Sequence, residues 1–209
     1  MFIFRRKKTH FDQNFTGPAY LLTGLGNPGR EYRDNRHNIG FKIIDRLAES
    51  MEIDLTRLQS KAFVGSGQVG EVRIILAKPQ TYMNLSGEAV AGLSRFYKVP
   101  VENLLVIHDD IDLPFGVLRL RPGGGSAGQK GVQSIIEKLG TQDFPRMRFG
   151  IGRPSGFKGS SGYVLENFSP QEQKELGYLI DQAVAAVRLF VTDGLEAAMN
   201  RYNGSQLEE

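Results

Sequence analysis

Residues 24–38, GLGNPGREYRDNRHN, set an asparagine and a histidine, Asn27 and His37, on a polar loop that follows an apolar run. An imidazole ordinarily titrates near neutral pH, so His37 is the leading candidate for a general base, with a purely structural histidine as the competing role. The Asn27 amide could orient water or hydrogen-bond a peptide without adding charge. The loop begins like a dinucleotide site, since Gly24, Gly26 and Gly29 satisfy G-x-G-x-x-G directly after a strand at residues 20–25. A Rossmann loop must then enter a helix whose amides hold a pyrophosphate. Pro28 removes one amide donor, and residues 30–37 carry a single sizeable apolar side chain, Tyr32. A nicotinamide-dependent oxidoreductase therefore rests on the glycines alone.

Three further segments carry groups that could meet this loop. Residues 104–113, LLVIHDDIDL, read as a buried strand that ends in Asp109, Asp110 and Asp112. An aspartate touching His37 would fix the imidazole tautomer and favour the imidazolium formed as water is deprotonated. The same carboxylates also read as an acidic turn or a magnesium site, although no P-loop supports the metal. In residues 78–90, KPQTYMNLSGEAV, Asn84 reads equally as a helix cap and as a substrate ligand. Residues 122–131, PGGGSAGQKG, fail as a Walker A loop, because Lys130 stands between Gln129 and Gly131. Their backbone amides could still form an anion site or a mobile cover.

The elements that must position these groups alternate along the chain. Apolar spacing predicts helices over 38–51, with Asn38 as N-cap, over 85–97, over 131–139, over 170–191, with Ser169 as cap, and over 195–202. Strands are predicted at 20–25, 62–69, 72–77, 104–108, 116–120 and 147–151. This alternation implies a single α/β domain at 20–203, a twisted, mixed but mostly parallel sheet covered by helices, flanked by a basic N-terminal tail at 1–19 and a C-terminal tail at 204–209.

Composition narrows the chemistry. The 209 residues include no cysteine, which excludes thiolate nucleophiles and cysteine-ligated zinc, and only three histidines, His10, His37 and His108. No apolar run approaches the roughly 20 residues that span a bilayer, so a soluble, cytoplasmic protein without a membrane partner is expected. The net charge of +3 resides in the tail, and residues 21–209 are balanced. Its distribution is uneven: residues 119–158 hold eight basic side chains and two acidic ones, and the chain from Glu166 onward holds eight acidic and three basic. Such polarity suits a phosphate-bearing partner or an ordinary solvated surface.

Taken together, GLGNPGREYRDNRHNIGF, KPQTYMNLSGEAV, HDDIDLPFGVLRLRPGGGSAG, FPRMRFGIGRP and GYVLENFS resemble the bacterial-type peptidyl-tRNA hydrolase family, in order, from about Leu21 to Tyr202. The resemblance implies hydrolysis of the ester between a peptide and the terminal ribose of tRNA, which recycles tRNA from prematurely released chains. It implies a monomer with no metal or organic cofactor. On matching positions, His37 is implied as the catalytic base with Asp109 as its partner. Asn27 and Asn84 are implied to position substrate and water, and Tyr32 and Met83 to line the same crevice. The partner would be peptidyl-tRNA, through its acceptor stem and CCA end, with phosphates held by Arg119, Arg121, Lys130, Arg148 and Lys158. One departure stands out: Gln129 and Lys130 replace the family's usual His-Asn pair, and both are expected at the substrate. Gln129 cannot titrate, which leaves His37 as the candidate base. An RNA-binding protein that has lost hydrolysis on the same scaffold is the alternative.

Overall fold

The computed structural model describes residues 17–153 and 159–207. Its first strand, β1 (Ala19–Gly24), begins at the end of the segment read as a tail. The Pro18 carbonyl already accepts a hydrogen bond from Arg73 N–H. Leu21 and Leu22 point to opposite faces of the sheet and both are buried, as expected for a strand covered on two sides.

After β1 come α1 (Ile39–Ser50), β2 (Arg57–Gln59), β3 (Ala62–Val69), β4 (Val72–Pro79), α2 (Ser86–Tyr97) and β5 (Leu104–Asp110). The chain continues through β6 (Val117–Arg121), α3 (Lys130–Leu139), β7 (Arg146–Gly150), α4 (Ser160–Tyr163), α5 (Pro170–Asp193), α6 (Leu195–Tyr202) and β8 (Gly204–Ser205). The strand order is β2-β3-β4-β1-β5-β7-β6-β8. The central four strands, β4-β1-β5-β7, are parallel and the ladders on both flanks are antiparallel. The mixed sheet expected from the sequence is thus parallel at its centre. Two strands lacked a sequence signal, β2 because it is three residues long and β8 because it is two.

One face is covered by α1, α5 and α6, whose Ile43, Leu47, Leu179, Phe190 and Tyr202 cluster with Leu22, Ile107, Leu118 and Phe149 of the sheet. On the other, α2 and α3 bring Val90, Leu93, Val132 and Ile135 against Leu21, Ile75, Leu104 and Val106. Full burial of each such side chain contributes about 1.5–3 kcal/mol. The helix α5 starts with a capping box, in which Ser169 Oγ accepts from Glu172 N–H and the Glu172 carboxylate accepts from Ser169 N–H, with Pro170 at its first position.

The glycines at the end of β1 serve packing. A Cβ on Gly24 would collide with the Gly40 carbonyl, and one on Gly40 with Ile107 O and Leu25 N. The first turn of α1 therefore rests directly on β1 and β5, and the dinucleotide-like spacing is used for helix–strand contact. After Gly29, which has φ 116°, the chain forms only a single 3-10 turn at Arg30–Tyr32 rather than a phosphate-binding helix. From β1 the chain leads to the β4 side and from β5 to the β7 side, so the carboxyl ends of β1 and β5 flank the switch point where open α/β sheets bind ligands.

Candidate active site

At this switch point four segments are tied to one another by hydrogen bonds. Asn38 Oδ1 accepts from Asn27 N–H at 2.8 Å, and Asn38 Nδ2 donates to Asn27 O at 2.9 Å. The side chain expected to cap α1 instead clamps the Asn27 backbone, and α1 starts without a side-chain cap. Asn27 Oδ1 in turn accepts from Met83 N–H at 2.8 Å. Because that oxygen faces a donor, the amide orientation is fixed, and Asn27 Nδ2 is left without a hydrogen-bond partner among the described residues.

His37 lies in the 3-10 turn Arg36–Asn38 that precedes α1. Its Nδ1 is 2.9 Å from Asp109 Oδ2, and the other carboxylate oxygen, Oδ1, accepts from Gln129 Nε2 at 3.1 Å. Gln129 Oε1 accepts from Gly131 N–H at 2.5 Å and Val132 N–H at 2.9 Å, which caps α3. Gln129 Nε2 also lies 3.4 Å from Met83 Sδ. A circuit thus runs from His37 through Asp109, Gln129, Met83 and Asn27 to Asn38, the neighbour of His37.

The three clustered aspartates do not act as a set. Asp109 turns to His37, Asp110 pairs with Arg148, and Asp112 pairs with Arg153 at 2.7 Å. Next to them, His108 is buried, with Nδ1 at 2.7 Å from Asp109 O and Nε2 without a partner among the described residues. Burial pushes this imidazole below its ordinary range.

The other residues expected at the site are dispersed. Met83 is buried in the circuit, while Tyr32 is half-buried at the end of its 3-10 turn. Asn84 is exposed, and it caps nothing, since Leu85 occupies the start of α2 without a side-chain cap. Lys130 is exposed as the first residue of α3, and Lys158 lies outside the described residues. A groove of about 1280 Å³ begins at Asn27 and passes Phe41, Phe63, Lys78 and Phe168.

Two cross-strand pairs, Arg119–Arg148 and Arg121–Arg146, line one face of the β6–β7 ladder, because directly opposed residues share a face. Arg119 and Arg121 are exposed, whereas Arg148 is half-buried and paired with Asp110. Arg146 is 2 % exposed and donates to Gly125 O at 2.9 Å and Gln142 O at 3.0 Å. Burial and the neighbouring Arg121 and Arg148 charges lower its pKa to about 10. Arg146 thereby pins the glycine-rich loop to β7.

Arg36 is a further residue that sequence reasoning missed. Its guanidinium lies 4.4 Å from the Tyr163 ring centroid, bonds to Asn167 O, and meets Glu172 at 2.6 Å. The backbone of the same turn is held by two bonds, Arg36 N–H to Glu166 O at 3.0 Å and His37 N–H to Val164 O at 2.8 Å. Nothing in an isolated arginine beside a histidine signals this anchorage, because its partners are about 130 residues away.

The peptidyl-tRNA hydrolase family model matches residues 21–209. A peptidyl-tRNA hydrolase from Desulforamulus reducens is 50% identical over 183 residues, with 88% of each chain covered. A chloroplastic peptidyl-tRNA hydrolase from Arabidopsis thaliana is 46% identical over 185 residues, which span 88% of this chain and 64% of that longer protein. Among solved structures, the peptidyl-tRNA hydrolase of Acinetobacter baumannii superposes with a TM-score of 0.83 at 38% identity, covering 88% of this chain and 94% of that one. With a match over nearly its whole length, a shared fold and a histidine–aspartate pair at the switch point, the chain belongs to the peptidyl-tRNA hydrolase family.

Proposed function

We propose that this peptidyl-tRNA hydrolase cleaves the ester between peptide and terminal ribose with His37 as general base. The observation that carries this reading is the 2.9 Å contact of His37 Nδ1 with the buried Asp109 carboxylate, at the same strand ends as Asn27. A carboxylate only accepts, so Nδ1 carries the proton and Nε2 keeps its lone pair. Nε2 takes a proton from water as the water oxygen attacks the ester carbonyl carbon. The tetrahedral oxyanion receives hydrogen bonds from amide donors, for which Asn27 Nδ2 and Asn84 are available. Collapse breaks the bond to the ribose oxygen, which takes the proton back from the imidazolium. The products are a peptide carboxylic acid, which gives its proton to bulk water to become the carboxylate, and tRNA with a free terminal hydroxyl. General-base action supplies roughly 10²- to 10⁴-fold, and one oxyanion donor about 10²- to 10³-fold.

Arg119, Arg121 and Lys130 hold acceptor-stem phosphates, and the Arg148 charge is largely offset by its pair with Asp110. Lys158 joins them from outside the described residues. Tyr32 and Met83 border the CCA end, and the groove beyond Asn27 has room for the peptide. The enzyme acts as a cytoplasmic monomer. The test is release of tRNA from N-acylated aminoacyl-tRNA by the purified protein without added metal. Release supports the reading, whereas tRNA binding without release would establish an RNA-binding protein on a hydrolase scaffold.

A further inference from the structure

We infer that Gln129 is a positioning residue that acts on His37 through Asp109, and is not the substrate ligand its place in the sequence suggests; this rests on the general-base reading of His37. The amide is oriented by its surroundings. Oε1 faces two backbone donors, Gly131 N–H and Val132 N–H, a position only an acceptor can fill, so Nε2 is the group directed at Asp109 Oδ1, 3.1 Å away. Its three close partners are all protein groups: the capped helix start, the carboxylate and the Met83 sulfur.

Two consequences follow for Asp109. First, the carboxylate is held at both oxygens, Oδ2 by His37 and Oδ1 by Gln129, so it cannot rotate away from the imidazole without losing the second bond. Second, a neutral donor draws electron density from the carboxylate and limits how far it stabilises the imidazolium. Three acids near this turn are engaged elsewhere: Asp110 is paired with Arg148, Asp112 with Arg153 and, on the α5 side, Glu172 with Arg36. Lys130 starts α3 from an exposed position. Through the cap, Gln129 also joins the His37–Asp109 pair to the first turn of α3 and the glycine-rich loop before it. An asparagine would be one methylene too short to serve both ends, and a titratable residue would bring a variable charge to Asp109.

Gln129→Glu separates this role from the alternatives. It keeps the acceptor that caps α3 and replaces the donor facing Asp109 with a second carboxylate. Two carboxylates in contact share a proton, and as that proton leaves, the added negative charge favours imidazolium. Pre-steady-state release of tRNA from N-acylated aminoacyl-tRNA is followed across pH for wild type, Gln129→Glu and Gln129→Met, with melting temperatures and Kd for the acylated tRNA. For Gln129→Glu the expected result is an unchanged Kd, a melting temperature lowered modestly by the repulsion between the two carboxylates, a rate lower by about tenfold near neutrality, and an acid limb moved about one unit to higher pH. Gln129→Met loses both bonds and falls in rate and in melting temperature. An acid limb unmoved in Gln129→Glu would overturn the inference, as would a weaker Kd with an unchanged rate, which would mark a substrate contact. Failure of wild type to release tRNA would instead overturn the hydrolase reading itself.

Discussion

His37 and Asp109 are unequal in their access to water: the imidazole side chain is 13% exposed and the carboxylate 3%, across a 2.9 Å hydrogen bond. Water can reach the proposed base, while the group that orients it is kept in a drier setting where its charge is felt more strongly. The asymmetry comes from the fold. Asp109 is the last but one residue of the fully buried strand β5, and His37 rides on a turn stapled to distant chain.

That staple is expected to be essential to stability. Glu172→Ala removes the partner of a guanidinium that is 6% exposed and also breaks the capping box of α5. Leaving a buried charge unpaired costs about 3 kcal/mol. For a chain of this size that lowers the melting temperature by roughly 6–12 °C. Differential scanning calorimetry checks this, and an unshifted transition would refute the role of the pair.

Asn38 discriminates between two roles. Serine is as good an N-cap as asparagine, so Asn38→Ser would be harmless if the residue capped α1. Because Asn38 instead satisfies both the N–H and the carbonyl of Asn27, the substitution is expected to cost about 2 kcal/mol. It is also expected to lower the hydrolysis rate. Urea unfolding at equilibrium measures the first effect.

Arg119 and Arg121 are expected to act on affinity alone. Alanine at either position should weaken tRNA binding similarly across tRNA sequences and reduce the slope of log K against log salt by about 1 each. Titrations at several salt concentrations test this, and a salt slope equal to that of wild type would exclude phosphate contact. Arg146→Ala is different in kind, since it releases the Gly125 carbonyl and the loop it anchors.

His108 sets an acid limit on stability. Burial lowers its pKa in the folded state, so below the unfolded value of about 6.5 the unfolded chain binds the extra proton. This contribution is complete above that pH and is lost progressively as pH falls toward the lowered folded value. His108→Gln is expected to flatten the decline in stability between pH 6.5 and 5, measured by urea unfolding; an equal decline in both proteins would contradict it.

Periodicity made the major helices and the central strands legible, because these elements bury long apolar stripes such as Ile39, Ile43 and Leu47 of α1. Strand ends shifted by one residue in β6 and β7, where Arg121 and Arg146 extend the ladder without apolar character. His37 and Asp109 could be singled out because both end on polar loops after apolar strands, and the structure brings them together. The work of Asn38 and Gln129 was hidden, since an amide side chain reads as a cap or a ligand until the backbone groups opposite it are known. Arg148 read as a free cation because its partner Asp110 is 38 residues away in sequence.

The most direct test of the account is single-turnover release of tRNA from N-acylated aminoacyl-tRNA by His37→Ala beside wild type, with tRNA affinity measured on both. Loss of at least about 10²-fold in rate with unchanged affinity is the expected result. A His37→Ala enzyme that releases tRNA at a rate comparable to wild type would contradict the assignment of His37 as the base.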